Sequence, residues 1–272
     1  MNLIGLGWAV LAPWLAGALC LLAATRRAGI GNVHGAVIAG YGLFVGYQLL
    51  YGLMLLHDAL LGAVSFPLVS AGLAAIGMVA ALLARRGSMR SDHTRATPAV
   101  GGEKHPLAVW FLVGIATAHL AFTATELLHL PVFPWDAWGS WMYRAKVWFF
   151  AGELLPMARP DEWLAGSLLT YNATAAHYPG LVPALAMWCA MALGDWSETL
   201  INLPTLACAV ALALGLYGQC RSVGMSRLLA VLPAYALLSI PLVGAHLSLG
   251  GYADIWMAGF TGLGLVALLR GV

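Results

Sequence analysis

Long apolar runs alternate with short polar breaks along the chain. Runs at 3–24, 33–56, 62–84 and 106–127 each approach the ~20 residues that an α-helix needs to cross ~30 Å of hydrocarbon. Further runs follow at 199–220, 228–248 and 255–270, and a shorter one, GLVPALAMWCAMALG, occupies 180–194. At ~1.5 Å per residue the short run rises only about 22 Å. Pro183 near its start, and Asp195, Trp196 and Glu198 after it, suit a helix that enters the membrane partway. From 85 to 105 the chain is polar, basic and rich in small residues, which predicts a cytoplasmic linker. It divides an N-terminal three-span group, 1–84, from a second membrane module, 106–272.

Basic clusters set the orientation, because cytoplasmic loops carry the excess of Lys and Arg. Arg26 and Arg27, then Arg85, Arg86, Arg90 and Arg95, then Arg221 and Arg227, and finally Arg270 are expected on the cytoplasmic side. Segment 128–178 is then a large outer loop. Two full crossings between residue 178 and Arg221 would put that arginine outside, so 180–194 is expected to enter and return on the outer side. Asp254, in GGYADIW, then faces outward with Asp136. The pattern predicts an all-α, polytopic transmembrane helix bundle with about seven crossings and one short partial helix. The N-terminal run carries its arginines after the apolar stretch, the reverse of a signal peptide, and reads as a retained first span that starts outside.

Composition agrees with the pattern. Of 272 residues, 61% are hydrophobic and 9% charged, and the mean hydropathy is +0.85, values of an integral membrane protein. A net charge of +2 gives no footing for nucleic acid. Cys20, Cys189, Cys208 and Cys220 fall in or beside apolar runs with no CxxC spacing, and read as small core residues.

Against this background FPWDAWGSWMYRAKVWFF, 133–150, stands out, with a carboxylate and two cations among four tryptophans. Scored at about 100° per residue from Ala137, Trp138, Trp141, Met142, Ala145, Trp148 and Phe149 share one face. Ser140, Tyr143, Lys146 and Val147 lie opposite, with Arg144 at the border. This predicts an amphipathic helix lying in the membrane interface. Asp136 precedes it at the N-cap position, where it would accept hydrogen bonds from the first free N–H groups. A functional reading stands beside the capping one: a catalytic carboxylate at a cavity mouth, with Arg144 or Lys146 placed to meet a lipid-linked phosphate. In the HYPG segment where the chain re-enters the membrane, His177 reads as a general base, a phosphate contact or an interface-level hydrogen-bonding residue.

The order of these features resembles the GT-C superfamily of polyprenyl-phosphate-dependent glycosyltransferases. That superfamily includes oligosaccharyltransferases, protein O-mannosyltransferases and the aminoarabinose transferases of lipid A. WDAWGSWMYRAKVWF followed by HYPGLVPAL is similar to bacterial membrane proteins of this type, and the likeness covers roughly 106–272. The resemblance implies that Asp136, the acid opening the first outer loop, is the functional carboxylate and acts as base. It implies substrate contacts at Arg144, Lys146, His177, Tyr178 and Asp254. The expected partners are the bilayer of a bacterial inner membrane, a polyprenyl-phosphate-linked sugar donor and an extracytoplasmic acceptor, whether lipid, glycan or protein. A magnesium or manganese ion stays open as a cofactor, although the lone acid of WDAW offers few ligands. Relatives of this type continue for further spans, so the chain reads as a fragment or as a reduced form that needs a membrane partner subunit. The alternative is a non-catalytic subunit, or a transporter or flippase-like partner for lipid-linked sugars. A hydrolase or acyltransferase would need a GxSxG or a Cys–His arrangement, and neither occurs.

Overall fold

A computed structural model describes residues 2–30, 33–88, 105–169 and 171–270. The helices are α1 (Leu3–Arg27), α2 (Gly35–Leu61), α3 (Phe66–Ser88), α4 (Pro106–His129), α5 (Met142–Ala151), α6 (Pro160–Leu164), α7 (Leu181–Leu193), α8 (Leu203–Ser222), α9 (Arg227–Leu238), α10 (Pro241–Ser248) and α11 (Asp254–Arg270). A π-helical turn, Ala137–Trp141, leads into α5, and a 3-10 turn, Leu200–Asn202, leads into α8. Among the described residues no strand forms, and the sole bridge joins Ala158 to Asn172 in the segment between α5 and α7. The fold is a helical membrane bundle, as the apolar runs predict. Most of the linker expected at 85–105 lies outside the described residues.

Among the described residues five helices are long and apolar enough to cross a membrane: α1, α2, α3, α4 and α8 with its preceding turn. The expected span at 228–248 is broken into α9 and α10, bent by 60°. Pro241 explains the break, since it has no N–H to continue the ladder and forces Ile240 into extended backbone, φ −65° and ψ 122°. Counting the pair as one span gives six. The seventh expected crossing is α11, whose 17 residues rise about 25 Å.

Glycine lets the spans touch at the backbone. A Cβ on Gly46 would stand 1.8 Å from the carbonyl oxygen of Pro13, and one on Gly40 would stand 2.3 Å from the amide nitrogen of Gly215. The first contact locks α1 on α2, the second α2 on α8, the close approach that small residues give helices in lipid. Pro13 leaves the carbonyl of Ala9 without its helical donor. Trp188 of α7 supplies one, its indole Nε1–H reaching Ala9 O at 3.1 Å.

Helix α7 is the centre of the core: twelve of its residues are buried, against α1, α2, α3 and α5. Its last residue accepts a hydrogen bond from the Asn2 amide at the start of α1 (3.2 Å), and its Trp188 stacks at 4.3 Å on Phe66 at the start of α3. It does not run through to the far end of the bundle. Helix α8 does, ending where Gly218 meets Val37 at the start of α2. There the Arg270 guanidinium donates to the Gln219 carbonyl at 2.6 Å, and Arg26 joins the ends of α1 and α3 by donating to Ala84 O at 3.0 Å. Arg26, Arg221 and Arg270 therefore gather at one end of the bundle, and α7, the segment between α4 and α7 with Arg144 and Arg159, and the start of α11 occupy the other.

Candidate functional site

The helix expected over 137–150 forms, but its apolar face meets protein. Trp141, Met142, Ala145 and Trp148 are buried, while Trp135 and Trp138 stay exposed. The buried face packs on α7. Periodicity identified the face, and the fully apolar α7 covers it.

Asp136 does not cap this helix. Its backbone is already helical (φ −67°, ψ −31°), and its carboxylate accepts no capping bond. An N-cap side chain folds back onto N2 or N3 from the β region, which Asp136 has left. The carboxylate instead lines a cavity of about 560 Å³ together with Tyr178, Tyr252 and Asp254, above a floor of apolar side chains that includes Trp256 and Phe260.

Asp254 reaches this cavity because the loop between α10 and α11 lies on the π-helical turn. Gly251 makes that contact possible: it has φ +87°, and a Cβ there would stand 2.9 Å from Met142 Cγ and 3.0 Å from Ala137 Cβ. Beside it, Asn202 presses on Gly250 and donates its side-chain amide to Glu198 O at 2.7 Å. Asp254 then opens α11, with its Oδ2 at 3.7 Å from His246 Nδ1. The His246 ring stands edge-on to Tyr252, centroids 5.3 Å apart. Sequence reasoning missed His246, whose only sequence signal is a position eight residues before Asp254 across a Gly-Gly turn.

Arg144, expected at the border of the helix, is 5% exposed. Its Nη1 donates to Tyr178 O at 2.9 Å and to Ala176 O at 3.4 Å. Its guanidinium stands 5.9 and 5.5 Å from the ring centroids of Trp141 and Trp148. Nε and Nη2 have no hydrogen-bond partner among the described residues. Burial lowers its pKa from the ordinary arginine value, with Tyr51 acting the other way, and the group stays a cation. Arg144 thus clamps the HYPG segment to α5 and stands behind Tyr178, whose ring stacks on Trp141 at 5.2 Å. Arg144→Ala is expected to destabilise the chain by about 2–4 kcal/mol, the combined loss of charge-assisted bonds, ring contacts and packing. Arg144→Lys should fall between, since an ammonium matches neither the fork nor the stacked rings. Thermal unfolding in detergent measures both, and an Ala variant as stable as the wild type removes the clamp.

The remaining expected residues lie elsewhere. Lys146 pairs with Glu198 at 3.4 Å, both about half exposed, and lies 5.7 Å from the Trp196 ring. It lines a separate cavity of about 210 Å³ with Trp138 and Tyr143. His177 is exposed, with its ring edge-on to Tyr178 at 4.9 Å. Asp136, Tyr178 and Asp254 therefore meet in one cavity, and Arg144, Lys146 and His177 are outside its lining. Among the described residues no group of three His, Cys, Asp or Glu side chains is placed to hold a metal ion.

Comparison of the chain with known proteins finds no matching family model, no matching curated protein and no matching solved structure.

Proposed function

We propose that the chain is a membrane glycosyltransferase that moves a sugar from a polyprenyl-phosphate donor to an acceptor outside the cytoplasm of a bacterium. In this reading seven segments cross the inner membrane, the arginine-rich end faces the cytoplasm, and the Asp136 cavity opens on the outer face. One observation carries the proposal: two carboxylates from opposite ends of the module, Asp136 and Asp254, share a cavity that continues into an apolar groove. The groove, about 610 Å³, runs between α2 and α11, and Gln48 and Phe260 line both spaces. A polar head beside carboxylates and an apolar tail along two spans is the shape of a lipid-linked substrate.

The chemistry follows from that placement. The acceptor hydroxyl attacks the anomeric carbon, Asp136 takes the hydroxyl proton, and the bond from that carbon to the phosphate oxygen breaks. The polyprenyl phosphate leaves with the bonding electrons. Tyr178 and Tyr252, which line the cavity, supply hydroxyl donors for the departing phosphate. Arg144 acts through the Tyr178 backbone, and Asp254 with His246 orients the acceptor.

A second reading, translocation of a lipid-linked sugar, draws on the broken span α9–α10, since discontinuous helices line many transport sites. A transfer assay separates the two. Membranes containing the chain should move labelled sugar from a polyprenyl-phosphate donor to acceptor, and movement of the intact donor across vesicles without transfer favours translocation. Gly52 lines the groove, and a Cβ there meets nothing within 4 Å. Gly52→Phe is expected to raise KM for a long-chain donor by about 10-fold or more, with a short-chain donor unaffected. Equal effects on both donors would move the tail out of this groove.

A further inference from the structure

At the arginine-rich end a second cleft of about 540 Å³ opens between α4, α8 and α9. It belongs to none of the elements that build the Asp136 cavity. Its mouth holds His34, Arg221 and Arg227, and no carboxylate lines it among the described residues. Arg221 donates through Nη1 to Met225 O, while its buried Nε has no hydrogen-bond partner among the described residues. His34 accepts the Ala36 amide at Nδ1, 3.2 Å, which places the proton of the neutral ring on Nε2, and its ring stands edge-on to Tyr217 at 5.7 Å. The polar mouth is therefore a set of donors.

Behind the mouth the walls are apolar. On α4 the lining extends from Pro106 to Leu120, a helical rise of about 21 Å, somewhat more than half of a ~30 Å hydrocarbon core. The only residues that α4 buries, Thr123 and Leu127, lie beyond that stretch. The near half of α4 thus leaves a slot that is open along one leaflet's depth, charged at the surface and apolar below.

We propose that this cleft is a binding site for an anionic phospholipid of the leaflet at the arginine-rich end. The phosphate sits between His34, Arg221 and Arg227, and an acyl chain lies between α4 and α8. Charge complementarity selects the head, and the depth of the slot selects a lipid over a soluble anion. Basic pockets between spans recognise anionic headgroups in this way, at about 1 kcal/mol per arginine near the surface.

The test is native mass spectrometry and thermal unfolding of the detergent-purified chain, titrated with phosphatidylglycerol or phosphatidylcholine of identical acyl chains. Phosphatidylglycerol is expected to stay bound and raise the unfolding temperature, and phosphatidylcholine to do so more weakly. The double variant Arg221→Gln, Arg227→Gln should weaken phosphatidylglycerol binding by roughly 25–30-fold, about 5-fold per arginine. Ala116→Phe, a change on the sparsely buried α4, should fill the slot and abolish retention of the lipid with both arginines in place. That variant decides the matter if the double one does not fold. Equal binding of the two lipids by the wild type, or an unchanged preference in Ala116→Phe, overturns the site. Stabilisation by glycerol phosphate equal to that by phosphatidylglycerol also overturns it, in favour of a soluble-anion site.

Discussion

Asp136→Asn is expected to reduce sugar transfer by about 10²–10⁴-fold, the range that removal of a positioned general base costs, while changing stability by less than about 0.5 kcal/mol. The two halves of this expectation are independent. The activity half rests on the proposed role as base: asparagine keeps the size and polarity of the side chain but does not accept the acceptor's proton at neutral pH. The stability half rests on geometry. The Asp136 side chain is exposed and caps nothing, so the ~1 kcal/mol that an N-cap aspartate contributes is not there to lose. Asp136→Ala should therefore behave like Asp136→Asn in both respects. Transfer assays in membranes, with unfolding measured on the same preparations, distinguish the outcomes. If both variants transfer at the wild-type rate, the base is another residue. If activity and stability fall together, the carboxylate holds the outer loop, and the catalytic assignment loses its support.

Much of the bundle was legible because lipid imposes a length and a polarity on each span. Each expected apolar run is helical over most of its length, with 228–248 in two pieces, and 180–194 forms the short helix α7 of 13 residues. What periodicity does not convey is what covers a face. The Trp141, Met142, Ala145 and Trp148 stripe looks the same whether lipid or α7 lies against it, and an all-apolar α7 gives no directional signal of its own. For the same reason Arg144 looked like a border residue in contact with headgroups, whereas the Tyr178 and Ala176 carbonyls that hold it are more than thirty residues away in sequence. The pairing of Asp136 with Asp254 was anticipated as a shared side of the membrane. Their shared cavity depends on Gly251 fitting against Ala137 and Met142, a contact that no local pattern encodes.

Gly46→Ala is expected to destabilise the chain by about 3 kcal/mol or more, beyond the usual cost of overpacking because the obstacle is backbone. A flexible side chain could swing away from an added methyl group. The Pro13 carbonyl cannot, since it belongs to a helix and lies 1.8 Å from where the Cβ would be, with its carbon at 2.5 Å. Helix α1 must then move off α2, and dispersion contacts along the whole crossing weaken together. The displacement also reaches the core, because Tyr47, one residue on from Gly46, donates to Val10 O at 3.3 Å and Trp188 donates to Ala9 O. Moving α1 strains both bonds, and the second is the one that satisfies the carbonyl freed by Pro13. Gly7→Ala is the control: it lies on the same helix α1, and its Cβ would meet nothing within 4 Å. Alanine there should be neutral or slightly stabilising. Unfolding temperatures of the two variants in one detergent measure the contrast. A Gly46→Ala variant that unfolds with Gly7→Ala would mean that the α1–α2 crossing is looser than its backbone contacts require.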